Sequence, residues 1–122
     1  MNHSTHVLFV EDEPYFQKIY GEYLEKSGLT LTYARNGEEA MKHLKEHKVD
    51  MIVSDLIMPF MSGLKFIKEA RKKHKGHIIV LTALTGETDR QDALNAGAHL
   101  FFSKESMNPE QLLKAIRECC KT

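Results

Sequence analysis

Four short, nearly continuous apolar runs recur along this chain, and amphipathic segments fill the intervals between them. The runs are Val7-Leu8-Phe9-Val10, Met51-Ile52-Val53, Ile78-Ile79-Val80-Leu81 and Leu100-Phe101-Phe102. Unbroken runs of this length are how strands buried on both faces read. A fifth segment, Leu29-Thr30-Leu31-Thr32-Tyr33, alternates instead, which suits an edge strand with one wet face.

The intervals carry helix starts and stops. Pro14 suits a first-turn position, Phe16, Ile19, Tyr20 and Tyr23 form an apolar stripe, and Gly28 can end that helix. Asn36 with Glu39 resembles a capping box, with Met41 and Leu44 following on one face. Ser62 can cap a third helix that carries Leu64, Ile67 and Ala70. The segment from Thr88 to Ala96 has Leu94 as its only large apolar residue and predicts a short, loosely held helix. Asn108-Pro109-Glu110-Gln111 opens the last helix, which buries Leu112, Leu113 and Ile116.

Strands and helices in strict alternation predict an α/β fold with a parallel sheet and helices on both faces. Residues 1–122 suffice for one domain and leave little room for a second. The 17 basic and 17 acidic side chains cancel, so no global field draws the chain to nucleic acid or an anionic membrane. No apolar run approaches the ~20 residues of a membrane span, and the N-terminus lacks a signal peptide's apolar segment. Cys119 and Cys120 are adjacent, and helix neighbours point about 100° apart, so a bridge between them would be strained. The expected compartment is the cytoplasm, with both thiols reduced.

In parallel α/β sheets, chemistry gathers at the carboxyl ends of the central strands. After Val10 come Glu11, Asp12 and Glu13; after Val53, Ser54 and Asp55; after Leu81, Thr82; after Phe102, Ser103 and Lys104. Each has an ordinary explanation by itself. Acids before a helix suit its dipole, an Asp after a strand is often a turn former, Thr82 is β-branched, and a lysine can snorkel at the surface. Their convergence at one sheet edge is harder to explain by chance. Carboxylates packed together repel, and a divalent cation relieves that repulsion. Mg²⁺ prefers one or two carboxylates plus water and phosphate oxygens. A carboxylate can also act as a nucleophile and form an acyl phosphate, whose equatorial oxygens need positive charge nearby. Asp55 reads as a phosphoacceptor, Lys104 as the counter-charge, and Thr82 as a hydroxyl able to sense the phosphoryl group.

The motifs "FVEDEP", "SDLIMPFMSG", "IVLTA" and "FFSKE" together resemble the receiver domains of two-component response regulators, including the single-domain chemotaxis-type regulators. The resemblance implies a three-layer, doubly wound (βα)5 flavodoxin-like sandwich with strand order 2-1-3-4-5. It implies that Asp55 takes a phosphoryl group from a sensor histidine kinase or histidine phosphotransfer protein. Mg²⁺ would be held by Glu11, Asp12, Asp55 and the backbone carbonyl of Ile57. Lys104 would pair with the phosphoryl group, Thr82 would move toward it, and Phe101 would follow as the second switch residue. The implied readout is a partner or attached output domain engaging the surface 88–121, near Lys114, Arg117 and Lys121, and a phosphorylation-dependent homodimer is compatible with it. Pro59 and Gly63 would shape the turn that aims the Asp55 loop, and small Ala83 would leave access to it.

Three departures from the family pattern stand out. Glu11-Asp12 replaces the commoner pair of aspartates. Lys104 precedes Glu105 where the family usually has proline, often cis. A non-proline cis bond costs ~3 kcal/mol, so a trans bond is expected. Ile57 and Leu84, two positions beyond Asp55 and Thr82, are both apolar and unable to orient an attacking water, which predicts slow self-dephosphorylation.

Rival readings fit less well. A haloacid-dehalogenase-type hydrolase needs a second acid where Ile57 stands. A flavodoxin-like electron carrier needs a Ser/Thr/Gly-rich phosphate loop where Glu11-Asp12-Glu13-Pro14 stands. A receiver-like scaffold that signals without phosphate would not require the intact set of Asp12, Asp55, Thr82 and Lys104. The seven histidines, His3, His6, His43, His47, His74, His77 and His99, lack ligand spacing. Lys72-Lys73-His74-Lys75, with Lys65, Lys68 and Arg71 before it, reads as a solvated helix end. Met58-Pro59-Phe60-Met61 reads as loop packing over the site, with contact to a partner as the alternative.

Overall fold

A computed structural model describes residues 4–120. His3, Lys121 and Thr122 lie outside the described residues, so the last position of the expected readout surface has no structural counterpart here. Five strands and five helices alternate strictly: β1 (His6–Val10), α1 (Pro14–Lys26), β2 (Thr30–Ala34), α2 (Gly37–Glu46), β3 (Met51–Ser54), α3 (Gly63–Lys73), β4 (His77–Thr82), α4 (Glu87–Ala96), β5 (Leu100–Ser103) and α5 (Pro109–Cys119). All strands are parallel, in the order β2-β1-β3-β4-β5. This is the doubly wound, flavodoxin-like sandwich, as expected.

The two-residue period of each strand divides its side chains between two apolar layers. Val7, Phe9, Met51, Val53, Ile79 and Leu81 face α1 and α5, where Tyr20, Leu24, Leu112 and Ile116 meet them. Leu8, Val10, Ile52, Ile78 and Val80 face α2, α3 and α4, meeting Ala40, Phe66, Ile67, Ala93 and Ala96. The caps follow the sequence closely. The side chains of Asn36, Ser62 and Asn108 accept hydrogen bonds from the backbone N–H of Glu39, Lys65 and Gln111, and Asn108 with Gln111 completes a reciprocal capping box. At α2 the box is displaced by one residue, because the Glu39 carboxylate accepts from the Arg35 backbone N–H at 2.9 Å.

Three expectations need correction. On α1 the buried face is Tyr20, Gly21 and Leu24, while Ile19 and Tyr23 are exposed. Tyr20 Oη donates to the Met107 carbonyl at 2.9 Å, which ties that face toward α5. The α4 helix is short, as expected, with Ala93 and Ala96 buried and Leu94 half-buried. Strand β5 is half-buried throughout, because strand order leaves it at the sheet edge. His74 is buried rather than solvated, with Nε2 3.2 Å from the His77 carbonyl oxygen. Beside it the Arg71 guanidinium donates to the carbonyls of His74, Gly76 and Gly97, binding the end of α3 to the turns around it.

Candidate functional site at the carboxyl end of the sheet

Strands β1 and β3 end level, Val10 beside Ser54, while β4 runs two residues further to Thr82, and the last residues of β1, β2 and β4 hold the chain that follows. The Asp55 backbone N–H donates to the Val10 carbonyl at 3.1 Å, the Glu11 N–H to the Ala34 carbonyl at 2.9 Å, and the Lys104 N–H to the Thr82 carbonyl at 2.7 Å. Residues 44 and 49 positions apart in sequence, Glu11, Asp55 and Lys104, are thereby carried to one place by the parallel register.

The sharp turn after Asp55 is built around its own carboxylate. Asp55 Oδ1 accepts from the backbone N–H of Leu56 at 2.6 Å and of Ile57 at 3.1 Å. This fixes the carboxylate plane and turns Oδ2 toward Lys104, whose Nζ lies 3.0 Å away. Gly63 closes the turn, its N–H donating to the Leu56 carbonyl at 3.1 Å. A Cβ at Gly63 would meet backbone atoms of Leu56 and would stand 2.7 Å from the Asp55 carbonyl oxygen, so only glycine fits. Between them Phe60 sits at φ 73°, inside a tight turn that the Met61 N–H closes on the Pro59 carbonyl at 2.9 Å. Phe60 is 83% exposed, while Met58 and Met61 are half-buried against the layer that holds Val10 and Leu56, so the loop packs down only in part.

Lys104 is the electrostatic centre. Its Nζ is 2.8 Å from Glu11 Oε1, 2.9 Å from Glu13 Oε1 and 3.0 Å from Asp55 Oδ2. The Phe16 ring covers another side, its centroid 4.0 Å from Nζ, in cation–π geometry. Burial alone would lower the lysine pKa, but the surrounding Glu11, Glu13 and Asp55 carboxylates outweigh it and raise the pKa above its ordinary value. The ammonium therefore stays charged. Glu11 responds the other way: burial raises its pKa, opposed by Lys104 and by the Glu13 N–H, with Asp55 adding repulsion.

Glu11, Asp12 and Asp55 bring one carboxylate oxygen each to within 4.8 Å of one another, and among the described residues no other group of three or more His, Cys, Asp or Glu does so. Glu11 Oε1 is buried, and its one close partner is the Lys104 ammonium at 2.8 Å, off the ideal hydrogen-bond angle. Three hard oxygen donors, one of them buried with only the Lys104 ammonium against it, fit a small divalent cation such as Mg²⁺. Ile57, expected to add its carbonyl, is 53% exposed beside the cluster.

Thr82 is fully buried at the end of β4, and its Oγ1 has only a 3.5 Å contact from the Leu84 N–H, so the hydroxyl is nearly uncommitted. Phe101 pairs with Val80 across β4 and β5 and packs on the layer that Val80 joins. Thr82, two residues beyond Val80, lies on the same face of the sheet. The Lys104–Glu105 bond is trans, as expected, since no described peptide bond is cis.

Sequence reasoning missed two parts of this arrangement. In the sequence Glu13 is one of a run of acids and Phe16 part of an apolar stripe, and neither pattern points to Lys104. The available signal was that both lie within five residues of Glu11, on the turn entering α1 that faces the site.

The sequence profile described as the response regulator receiver domain matches residues 7–117. The chain is 33% identical over 117 residues to a 14.6 kDa protein of Leptolyngbya boryana, covering 93% of this chain and 88% of that one. It is 30% identical over 114 residues to response regulator GtcR of Aneurinibacillus migulanus, covering 93% of this chain and 47% of that protein. The chain thus spans about half the length of several curated relatives it matches. Among solved structures, chemotaxis response regulator CheY4 of Vibrio cholerae superposes with a TM-score of 0.87 at 30% identity, covering 95% of this chain and 98% of that one.

Proposed function

The chain belongs to the response regulator receiver family, and on that premise we propose that it is a phosphorylation-controlled switch in two-component signalling, with Asp55 as the acceptor. Receiver domains are regulatory phosphoacceptors rather than enzymes that turn over a free substrate. The observation that carries the reading is the placement of Lys104 Nζ 3.0 Å from Asp55 Oδ2 and 2.8 Å from Glu11 Oε1, two members of the carboxylate cluster.

In the transfer, an Asp55 carboxylate oxygen attacks the phosphorus of a phosphohistidine on a sensor kinase or phosphotransfer protein. The P–O bond forms as the P–N bond breaks, and the electron pair stays on the imidazole nitrogen, which takes a proton from water. The Leu56 and Ile57 amides hold the carboxylate in the attacking orientation. Lys104 stabilises charge on the phosphoryl oxygens, in a setting where it is already desolvated. Glu11, Asp12, Asp55 and the Ile57 carbonyl would hold Mg²⁺, which would supply the remaining positive charge. Thr82 then donates its free hydroxyl to a phosphoryl oxygen, and Phe101, on the same face of the sheet, moves inward behind it. The surface of α4, β5 and α5 reads out the change to a partner, an output domain or a second copy.

Ile57 and Leu84 are apolar and cannot orient an attacking water, so the acyl phosphate is long-lived. Neutral charge and the lack of a described helix long and apolar enough to span a membrane accord with a cytoplasmic switch that does not itself grip nucleic acid.

Intact mass after incubation with acetyl phosphate and Mg²⁺ tests the reading. One phosphoryl group should be added to the parent, and none without Mg²⁺ or in Asp55→Asn. Equal labelling of Asp55→Asn would dismiss Asp55 as the acceptor.

A further inference from the structure

Glu13 has no part in the transfer just described, yet Lys104 Nζ donates a hydrogen bond to its Oε1 at 2.9 Å. We propose that Glu13 is a positioning residue that occupies, before phosphorylation, the place on Lys104 that an incoming phosphoryl oxygen must take. The inference rests on the reading of Asp55 as the acceptor.

The three carboxylates around Lys104 differ in what release would cost them. The Glu11 side chain is 1% exposed, so losing the ammonium would strand a buried charge. Asp55 receives the phosphoryl group and stays beside the lysine whatever happens. The Glu13 side chain is 56% exposed, and water can solvate it once it lets go. Its backbone need not move, because the Glu13 N–H is held by Glu11 Oε2 at 3.1 Å and its carbonyl accepts from Gln17 N–H at 3.1 Å. The Phe16 ring, 4.0 Å from Nζ, keeps its contact with the ammonium during the exchange. Glu13 thus holds the lysine ready and leaves when another anion arrives.

An occupant of this kind must compete with anions that seek the same ammonium. It also adds a fourth carboxylate beside Glu11, Asp12 and Asp55, which repels them. Both effects have one sign, so neutralising Glu13 should make an anion bind more tightly. A residue that merely braced Lys104 would do the reverse.

The test titrates beryllofluoride, a non-reactive phosphoryl mimic, into the full chain with Mg²⁺ by calorimetry, alongside acetyl phosphate labelling. In Glu13→Gln the half-saturating beryllofluoride concentration should fall about three- to fivefold. The acetyl phosphate needed for half-maximal labelling rate should fall with it, more than the maximal rate changes. Glu13→Asp, which keeps the charge but withdraws it by one methylene, should lie between. Equal or weaker binding in Glu13→Gln, with the parent labelling normally, overturns the latch and leaves the acceptor reading standing. A parent that neither binds beryllofluoride nor labels overturns the acceptor reading, and the latch with it.

Discussion

Lys104 Nζ and Glu11 Oε1 stand 2.8 Å apart with both side chains almost wholly buried, 5% and 1% exposed. Glu11 has no other cation among the described salt bridges, and its Oε1 has no aligned hydrogen bond. Lys104→Met keeps the stem's volume but removes the charge. Without added metal it should lower unfolding free energy by about 3 kcal/mol, since a buried carboxylate loses its partner. Urea unfolding at neutral pH checks this, and an unchanged midpoint would mean the ion pair is energetically idle.

Asp12 answers the opposite question, what crowding costs. It is exposed, yet its carboxylate belongs to the group whose oxygens lie within 4.8 Å of one another. Removing one like charge relieves repulsion, so Asp12→Asn should melt a few degrees higher than the parent in EDTA. Adding Mg²⁺ should raise the parent's melting temperature by mass action and leave the variant nearly unmoved. A variant that responds to Mg²⁺ as the parent does would remove Asp12 from the metal set.

How much of this was legible in the sequence depends on the range of the forces involved. Caps at Asn36, Ser62 and Asn108 are contacts within three residues, and they appear where the sequence placed them. The runs at Val7 and Ile78 became central strands because their apolar character needs cover on both faces. The face of α1 was misjudged because Ile19 and Tyr23 fit the helical period as well as Leu24 does. Only packing on α5 and the Tyr20 bond to Met107 choose between them. The site was legible as residue types after strands. The Lys104–Glu13 contact spans 91 positions and depends on how two loops lean, which no local pattern records.

Gly63 couples loop shape to chemistry. An added Cβ would press on the Leu56 backbone and on the Asp55 carbonyl, neither of which can yield as a side chain would. Gly63→Ala should cost about 1–3 kcal/mol in stability. It should also slow labelling by acetyl phosphate about tenfold or more, because the Asp55 carboxylate is aimed by this loop. Normal labelling in a destabilised variant would separate the glycine's structural role from any role in aiming Asp55.

The far end of the sheet sets the response to acid. Burial lowers the pKa of His74, aided by Arg71 and His99 and opposed by the bond to the His77 carbonyl and by Asp50; burial lowers those of His43 and His99 as well. A histidine with a lowered folded pKa costs nothing above its unfolded value of 6.5. It costs progressively more as pH falls through that value toward the folded one, because the unfolded chain then binds more protons. Glu11 works in the opposite sense: its raised pKa favours the folded state at low pH, and that contribution is lost as pH climbs from 4.5 through the folded value. The histidine effect isolates itself in a variant. The parent's melting temperature should drop between about pH 7 and pH 5, and His74→Gln, which cannot be protonated but can still donate to the His77 carbonyl, should drop less. Parallel melting curves across that window would show that His74 does not titrate with folding.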